Sequence, residues 1–215
     1  MNTRLYHLLT QLLSRPTAPF REQQVMHYAQ SILHRARIPH FSDPAGNLVL
    51  GCASRAAYRA LLRRPSKEPV RLFIAHMDHP GFHGVRWLSS RRLLVKWHGG
   101  SPLKHLRGSR VWLANDKGIV GEGRVARATL LRSGHAIDTA EVLLEQPLPA
   151  VQAATSLYGG FRFRAPVWRA GKRIYTQVAD DLVGVFAVLA TALSLYSGKR
   201  RMQPPFLGLL TRAEE

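Results

Sequence analysis

The segment 70–78, VRLFIAHMD, carries a short apolar run that ends on a histidine and an aspartate. An almost continuous apolar run of this length is typical of a strand that is buried on both faces of an α/β sheet. In such sheets, ligands bind beyond the carboxyl ends of the strands. We therefore expect a buried strand over 70–75 that delivers His76 and Asp78 to a functional edge of the sheet.

Two acidic pairs lie at comparable positions in the sequence. Asp180-Asp181 directly precedes the segment 182–190, whose apolar residues predict a helix that is buried nearly all round. Glu214-Glu215 follows the apolar run 206–210. The chain has only 13 acidic residues, and adjacent carboxylates repel each other, so pairs at these places indicate a nearby cation.

Each of these features, taken alone, has an ordinary structural explanation. An Asp pair before a helix commonly caps the helix and interacts with its dipole. A terminal Glu pair is commonly a solvated tail, and a histidine after a strand is commonly a loop residue held by a hydrogen bond. Their occurrence together, in order and each at the end of a core element, favours a metal site.

The rest of the chain divides into regions with different hydrophobic patterns and turn residues. Apolar residues at helical spacing predict two helices before Pro39, and a strand and a basic surface link follow. Short β-like runs separated by Gly, Asn-Asp and Ser-Gly turns then predict a small β-barrel. We therefore expect one α/β domain, formed by 1–85 and 168–215, with an inserted β-barrel-like domain at 86–167.

The chain is strongly basic, with 31 Lys and Arg residues against 13 Asp and Glu residues and a net charge of +18. Such an excess suits a surface that binds nucleic acid or anionic lipid. The arginines are scattered, however, and no helix-turn-helix, zinc-finger or RNP-like motif accompanies them. We therefore expect no nucleic-acid partner and keep a basic binding surface as an alternative.

The single cysteine, Cys52, excludes an intramolecular disulfide and a Cys-rich zinc module, and it fits a reducing cytoplasm. The N-terminal sequence contains no long apolar segment and no small-residue cleavage site, so it does not resemble a signal peptide. The most apolar stretch, 182–196, is shorter than the roughly 20 residues that a membrane span needs. We expect a cytoplasmic protein with no membrane partner.

Three motifs in this sequence resemble those of a known family. AHMDHPGF at 75–82, VADDLVG at 178–184 and TRAEE at 211–215 are similar to the first three motifs of metallopeptidase family 42. That family comprises the glutamyl, deblocking and tetrahedral aminopeptidases, which are relatives of the co-catalytic zinc exopeptidases. The segments 17–22 and 43–47 also resemble the family's opening. The resemblance covers the whole chain and implies a zinc-exopeptidase-like α/β/α domain with an inserted small β-barrel.

The resemblance implies a role for each of five side chains. His76 would bind one metal, and Asp78 would hold the imidazole ring by a hydrogen bond. Asp180 would bridge both metals, and the peptide bond after it would be cis. Glu215 would bind the second metal. Glu214 would be the general base that takes a proton from water and later gives it to the leaving amine.

The resemblance also implies cofactors and partners. The cofactors would be two divalent metal ions, with zinc expected and cobalt or manganese as alternatives. The substrate would be a peptide with a free N-terminus, and the complete protein would form a homo-oligomer.

Two departures from the family pattern affect these expectations. His79 occupies a position where many members have Glu, and we interpret it as a rim residue, with a tuning role or an alternative metal ligand as the other possibilities. The family also needs a further carboxylate ligand and a late histidine ligand beyond the Glu-Glu pair, and the sequence ends at Glu215. We therefore expect a truncated form, incomplete at the C-terminus, that is weakly active or inactive as a peptidase.

The sequence is also compatible with two other functions. The first is a basic, non-catalytic binding module on the same fold that contacts nucleic acid through its arginines. The second is a related two-metal amidohydrolase or deacylase. Its front motifs would be the same, because the metals and the base attack a carbonyl group whatever flanks it.

Overall fold

A computed structural model describes residues 3–64, 69–148, 152–196 and 206–215. The helices are α1 (Thr3–Leu13), α2 (Gln23–Arg35), α3 (Arg55–Arg63), a short 3-10 turn (Ala154–Ser156) and α4 (Ala179–Tyr196). The strands are β1 (His40–Ser42), β2 (Leu48–Leu50), β3 (Arg71–His76), β4 (Gly81–Ser89), β5 (Arg92–His98), β6 (Arg110–Asn115), β7 (Gly118–Leu130), β8 (Ile137–Leu144), β9 (Tyr158–Phe161), β10 (Val167–Ala170), β11 (Arg173–Thr176) and β12 (Phe206–Thr211).

The α/β unit is built on a four-stranded sheet with the order β1-β2-β12-β3. β12 is antiparallel to β2 and parallel to β3, and Thr211 lies opposite His76 in the register. Because parallel strands end at the same edge of a sheet, the residues that follow β3 and β12 meet there. Two strands that lie far apart in the sequence, β3 and β12, thus form the edge at which the candidate residues lie.

The core of the α/β unit forms where α1, α2 and α4 pack on the sheet. The two predicted N-terminal helices are confirmed, and their apolar stripes are buried. Burial of each such Leu or Val side chain stabilises the fold by roughly 1.5–3 kcal/mol. The expectation that the stretch 182–196 is too short for a membrane span is corrected by the structure. The 18-residue helix α4 is long and apolar enough to cross a membrane by length and composition alone, a test that the core helix of a soluble protein also passes. Its core-facing residues are Leu182, Val185, Val188, Leu189 and Ala192.

Two burial predictions are wrong. β3 is not buried on both faces, because Leu72, Phe73 and Ile74 are 49%, 42% and 59% exposed. The strand lies at the end of the sheet, and among the described residues no strand flanks its outer side. α4 is likewise not buried all round, since Val183 and Leu195 are exposed. Local hydrophobicity indicates that a segment suits a core, but not whether other elements cover it.

The predicted β-barrel is confirmed as a closed barrel with the strand order β4-β5-β8-β7-β6-β9. All its strand pairs are antiparallel, and its interior is filled by apolar side chains such as Phe82, Trp97 and Leu113. The expected domain boundary at residue 86 falls inside β4, which already begins at Gly81. The hairpin β10–β11 lies outside the barrel and leads back to α4.

Closure of the barrel depends on a close approach at Gly159 in β9. This residue pairs with Phe82 of β4 on one side and with Leu113 of β6 on the other. A Cβ atom there would collide with the carbonyl oxygen of Trp112 and with the Phe82 ring. Glycine therefore allows β9 to fit between its two neighbours.

The link predicted after β2 contains a helix that the sequence pattern did not indicate. α3 begins after Ser54, whose hydroxyl accepts a hydrogen bond from the backbone N–H of Ala57 at 3.2 Å. None of its residues is buried. Its basic side chains therefore remain in solvent, and the interpretation of this part of the chain as a surface segment holds.

Candidate metal and catalytic centre

His76, the last residue of β3, is at the centre of the candidate site. Its Nε2 atom lies 3.4 Å from Oδ1 of Asp180 and 3.8 Å from Oε2 of Glu214. Its Nδ1 atom faces the other way and lies 3.6 Å from Oδ1 of Asp78. The fold thus brings together four of the five side chains predicted from the sequence, although they come from three distant segments.

Asp78 is fully buried, and its carboxylate binds the backbone of both glutamates that follow β12. Its Oδ1 atom accepts the backbone N–H of Glu214 at 3.2 Å, and its Oδ2 atom accepts the backbone N–H of Glu215 at 3.1 Å. A buried carboxylate is costly unless hydrogen bonds compensate for lost water. The same side chain that faces the His76 ring therefore also fixes the backbone of the Glu-Glu pair.

The two aspartates before α4 have different surroundings. The peptide bond between Asp180 and Asp181 is cis, as the resemblance implied. The Asp181 carboxylate accepts hydrogen bonds from the backbone N–H groups of His76 at 3.3 Å and Gly184 at 3.2 Å. Asp181 therefore caps the helix and ties it to the end of β3, while the exposed Asp180 carboxylate faces the His76 ring.

Glu215 points to the barrel rather than to the His76 ring. Its carboxylate accepts a hydrogen bond from the backbone of Gly100, and a Cβ atom on Gly99 would lie 2.7 Å from its Oε2 atom. Burial raises the pKa of Glu215 above its usual value, although the Gly100 hydrogen bond and the nearby His79 imidazole counteract this shift. In the described part of the chain, no ion pair joins Glu215 to His76.

His79 lies at the rim of the site. Its Nδ1 atom is 2.6 Å from the backbone oxygen of Asp180. The ring therefore holds the backbone beside the cis bond, and the observed contact agrees with its interpretation as a rim residue.

The distance between the nearest candidate donors, on His76 and Asp180, fits a bound zinc ion. Two donors bound to one tetrahedral zinc ion stand about 3.4 Å apart, given bond lengths of about 2.1 Å. The Nε2 atom of His76 and the Oδ1 atom of Asp180 have this separation, 3.4 Å. The Nδ1 atom of His76 is buried, has no hydrogen-bond partner and faces Asp78. This orientation suits a proton on Nδ1 and a free lone pair on Nε2.

The site is not a preformed multidentate cage. Across residues 3–64, 69–148, 152–196 and 206–215, no group of three or more His, Cys, Asp or Glu side chains is arranged to hold a metal ion. The pair His76 and Asp180 therefore fits one divalent ion.

Two residues to which the sequence interpretation gave no role, Glu22 and Asn47, hold the end of β12. The Glu22 carboxylate accepts hydrogen bonds from the Arg212 side chain and the Ala213 backbone, and Asn47 accepts one from the Arg212 backbone. Glu22 and Asn47 lie in the two early segments that resemble the family, which was their only signal. A glutamate before a helix and an asparagine in a turn are otherwise too ordinary to stand out.

The sequence of the chain matches no protein-family model and no curated protein. Solved structures do match its fold. The TET aminopeptidase of the marine sediment archaeon Thaumarchaeota archaeon SCGC AB-539-E09 has a TM-score of 0.72 at 15% identity, over 99% of this chain and 60% of that chain. An aminopeptidase from the archaeon Desulfurococcus kamchatkensis has a TM-score of 0.70 at 19% identity, over 98% and 56%. The Pyrococcus horikoshii TET1 peptidase has a TM-score of 0.65 at 16% identity, over 98% and 61%.

The chain thus spans between 56% and 61% of the length of these three structures. The expected fold class, an α/β domain with an inserted small β-barrel, is confirmed. At identities of 15% to 19% the likeness concerns the fold. From its N-terminal helices through the barrel to the Glu-Glu pair, the chain has the fold of the TET aminopeptidases.

Proposed function

We propose that this chain carries part of a metal-dependent aminopeptidase centre, which hydrolyses N-terminal residues from peptides by a two-metal mechanism. The observation that carries the proposal is the convergence of His76, Asp180 and Glu214 at one edge of the sheet, with Asp78 behind them. The aminopeptidases that share the fold support it.

In this proposal each side chain has a distinct task. His76 and Asp180 would hold one ion, and Asp180 and Glu215 would hold the other. When bound, the ions would supply Lewis acidity that activates water and polarises the scissile carbonyl. Glu214, whose Oε2 atom is 3.8 Å from the His76 ring, would take the proton from water and give it to the leaving amine. Asp78 would keep the His76 ring and the Glu214 backbone in place.

The proposed function also implies particular ions, partners and a cellular compartment. We propose zinc, with cobalt or manganese as alternatives, because nitrogen and oxygen donors accept all three. The substrate would be a peptide with a free N-terminus, and the compartment the cytoplasm. The Pyrococcus horikoshii TET1 peptidase can assemble into a tetrahedron or a large octahedral shell. We propose homo-oligomerisation of the complete protein here as well.

The donor set predicts weak activity of the 215-residue chain. His76 and Asp180 give one ion two protein donors, whereas a catalytic zinc ion usually has three protein donors and a water. We therefore expect weak binding of the ion and low peptide turnover.

The test is a titration of the purified chain with cobalt(II), followed by visible absorption spectroscopy. We expect the parent chain to bind cobalt, and the variants His76→Ala and Asp180→Ala each to bind at least about tenfold more weakly, because each removes a direct donor. Glu141→Gln is the matched control, because Glu141 pairs with Arg92 on the barrel surface. Equal cobalt affinity of all four proteins would exclude this metal site.

A further inference from the structure

Four consecutive backbone N–H groups after β12 donate to side-chain oxygens from other parts of the chain. These donors belong to residues 212–215, which include the proposed general base. The acceptors, in order, are Oδ1 of Asn47 at 3.1 Å, Oε1 of Glu22 at 3.1 Å, Oδ1 of Asp78 at 3.2 Å and Oδ2 of Asp78 at 3.1 Å. Side chains, and not a neighbouring strand, therefore fix the backbone on which Glu214 lies.

Glu22 is the acceptor with the most partners in this network. It is fully buried, and its Oε1 atom accepts the backbone N–H groups of Phe20 at 2.7 Å and Ala213 at 3.1 Å. Its Oε2 atom accepts a hydrogen bond from Nε of Arg212 at 2.7 Å. An isolated buried charge would destabilise the fold strongly, so this carboxylate depends on the ion pair with Arg212. Apolar residues of similar volume often serve stability equally well, so the ion pair alone is weak evidence for a role in stability.

The two backbone donors to Glu22 have an unusual conformation. Phe20 has a φ angle of 64° and Ala213 has a φ angle of 51°, and both are non-glycine residues in the left-handed region. Such residues persist only where the surroundings fix them, and they concentrate at functional sites. Ala213 directly precedes Glu214. Its left-handed conformation turns the chain at the end of β12, so that the Glu214 side chain faces His76.

We propose that Glu22 is a positioning residue for the catalytic centre. Its carboxylate holds Ala213 in the left-handed conformation and thereby directs Glu214 toward the His76 ring. Glu22 is a hydrogen-bond partner of neither His76 nor Asp180, and it acts through the side chain of Arg212 and the backbone of Ala213. The inference deepens the proposed function and rests on it, because the site that Glu22 positions is the proposed peptidase centre.

The variant Glu22→Gln tests this inference. Glutamine keeps the size of the side chain but sets an amide N–H₂ group or an uncharged oxygen against the Arg212 guanidinium. We expect hydrogen exchange at the amides of residues 213–215 to accelerate by at least about tenfold relative to amides in α2, because their hydrogen bonds weaken locally. We also expect peptide turnover to fall while the cobalt(II) affinity stays within about twofold of the parent chain, because Glu22 directs the proposed general base and not a metal donor. Glu141→Gln again serves as the matched control.

The possible results separate this inference from the proposed function. Unchanged exchange at 213–215 in Glu22→Gln would overturn the positioning role. Uniform acceleration throughout the α/β unit would do so as well, because it would show a general loss of stability. If Glu22→Gln does not fold, Glu22→Asp retains the charge beside Arg212 and withdraws the oxygen from Ala213. Failure of both variants to fold would assign Glu22 to overall stability and overturn the positioning role. A parent chain that binds no cobalt would contradict the proposed function instead.

Discussion

At the scale of single residues, Asp78 links the His76 ring to the Glu-Glu pair. One fully buried carboxylate faces the His76 ring and accepts two backbone hydrogen bonds from the Glu-Glu pair. The imidazole and the proposed general base, Glu214, are therefore connected through one buried side chain. A change in Asp78 should affect both the stability of the fold and the affinity for a metal ion.

The variant Asp78→Asn changes the hydrogen-bonding groups of this side chain while it keeps the side-chain volume. Its amide group offers one acceptor oxygen where the carboxylate offers two, so one of the two backbone N–H groups loses its partner. We expect the free energy of unfolding, measured by chemical denaturation, to fall by about 1–3 kcal/mol. We also expect the cobalt(II) affinity to fall by about 10- to 100-fold.

The control is Asp138→Asn, which changes an aspartate that pairs with Lys96 on the barrel surface. Exposed ion pairs contribute about 0–1 kcal/mol, so this change should have a small effect on stability and none on the affinity for cobalt. Equal destabilisation by the two substitutions would contradict the central place of Asp78.

At the scale of helices and strands, the sequence predicts type and order better than burial. The apolar run before His76 indicated a strand, and the aspartates before an apolar segment indicated the start of a helix. Both inferences rest on local patterns, and both are confirmed as β3 and α4. The exposure of Ile74 depends instead on which elements cover β3, and that is decided by distant parts of the chain.

The same distinction applies to the candidate site. The ends of core elements marked His76, Asp180 and Glu214 as candidates, and the fold places these three together. The direction of the Glu215 side chain depends on the barrel loop at Gly99 and Gly100. A pattern of residue types along the sequence does not encode such a contact between two domains.

Barrel closure gives a prediction at the level of elements. The variant Gly159→Ala adds a Cβ atom that would collide with the Trp112 carbonyl and the Phe82 ring. Since overpacking in a fitted core costs about 1–3 kcal/mol, we expect the free energy of unfolding to fall by that amount. Chemical denaturation followed by tryptophan fluorescence measures it, because Trp97 and Trp112 lie in or beside the barrel.

Gly100→Ala is the matched control, because nothing lies within 4 Å of the position of its added Cβ atom. A Gly→Ala change at a site without strain stabilises a protein by up to about 1 kcal/mol through the unfolded state. Similar destabilisation by both substitutions would show that the close approach at Gly159 is not what closes the barrel.

At the scale of the whole molecule, the barrel and the α/β unit differ in whether their edge strands are paired. The barrel is closed, so its strands pair on both sides. In the part of the chain that the structure describes, the sheet of the α/β unit instead ends at β3, where Leu72, Phe73 and Ile74 are exposed in succession. Exposed apolar strands at a sheet edge tend to associate with other chains. The net charge of +18 opposes such association by repulsion, and high salt weakens that repulsion.

We therefore expect the purified chain to self-associate through β3, more strongly as salt increases. Ile74→Lys places a charge on the edge strand and should lower the association constant at 0.5 M salt by at least about tenfold, as inward or edge lysines do in natural sheets. Sedimentation velocity measures the change. Ile119→Lys adds the same charge at a residue of similar exposure, 53% against 59%, but on a strand inside the closed barrel. If both substitutions reduce association equally, added charge and not the edge of β3 controls it.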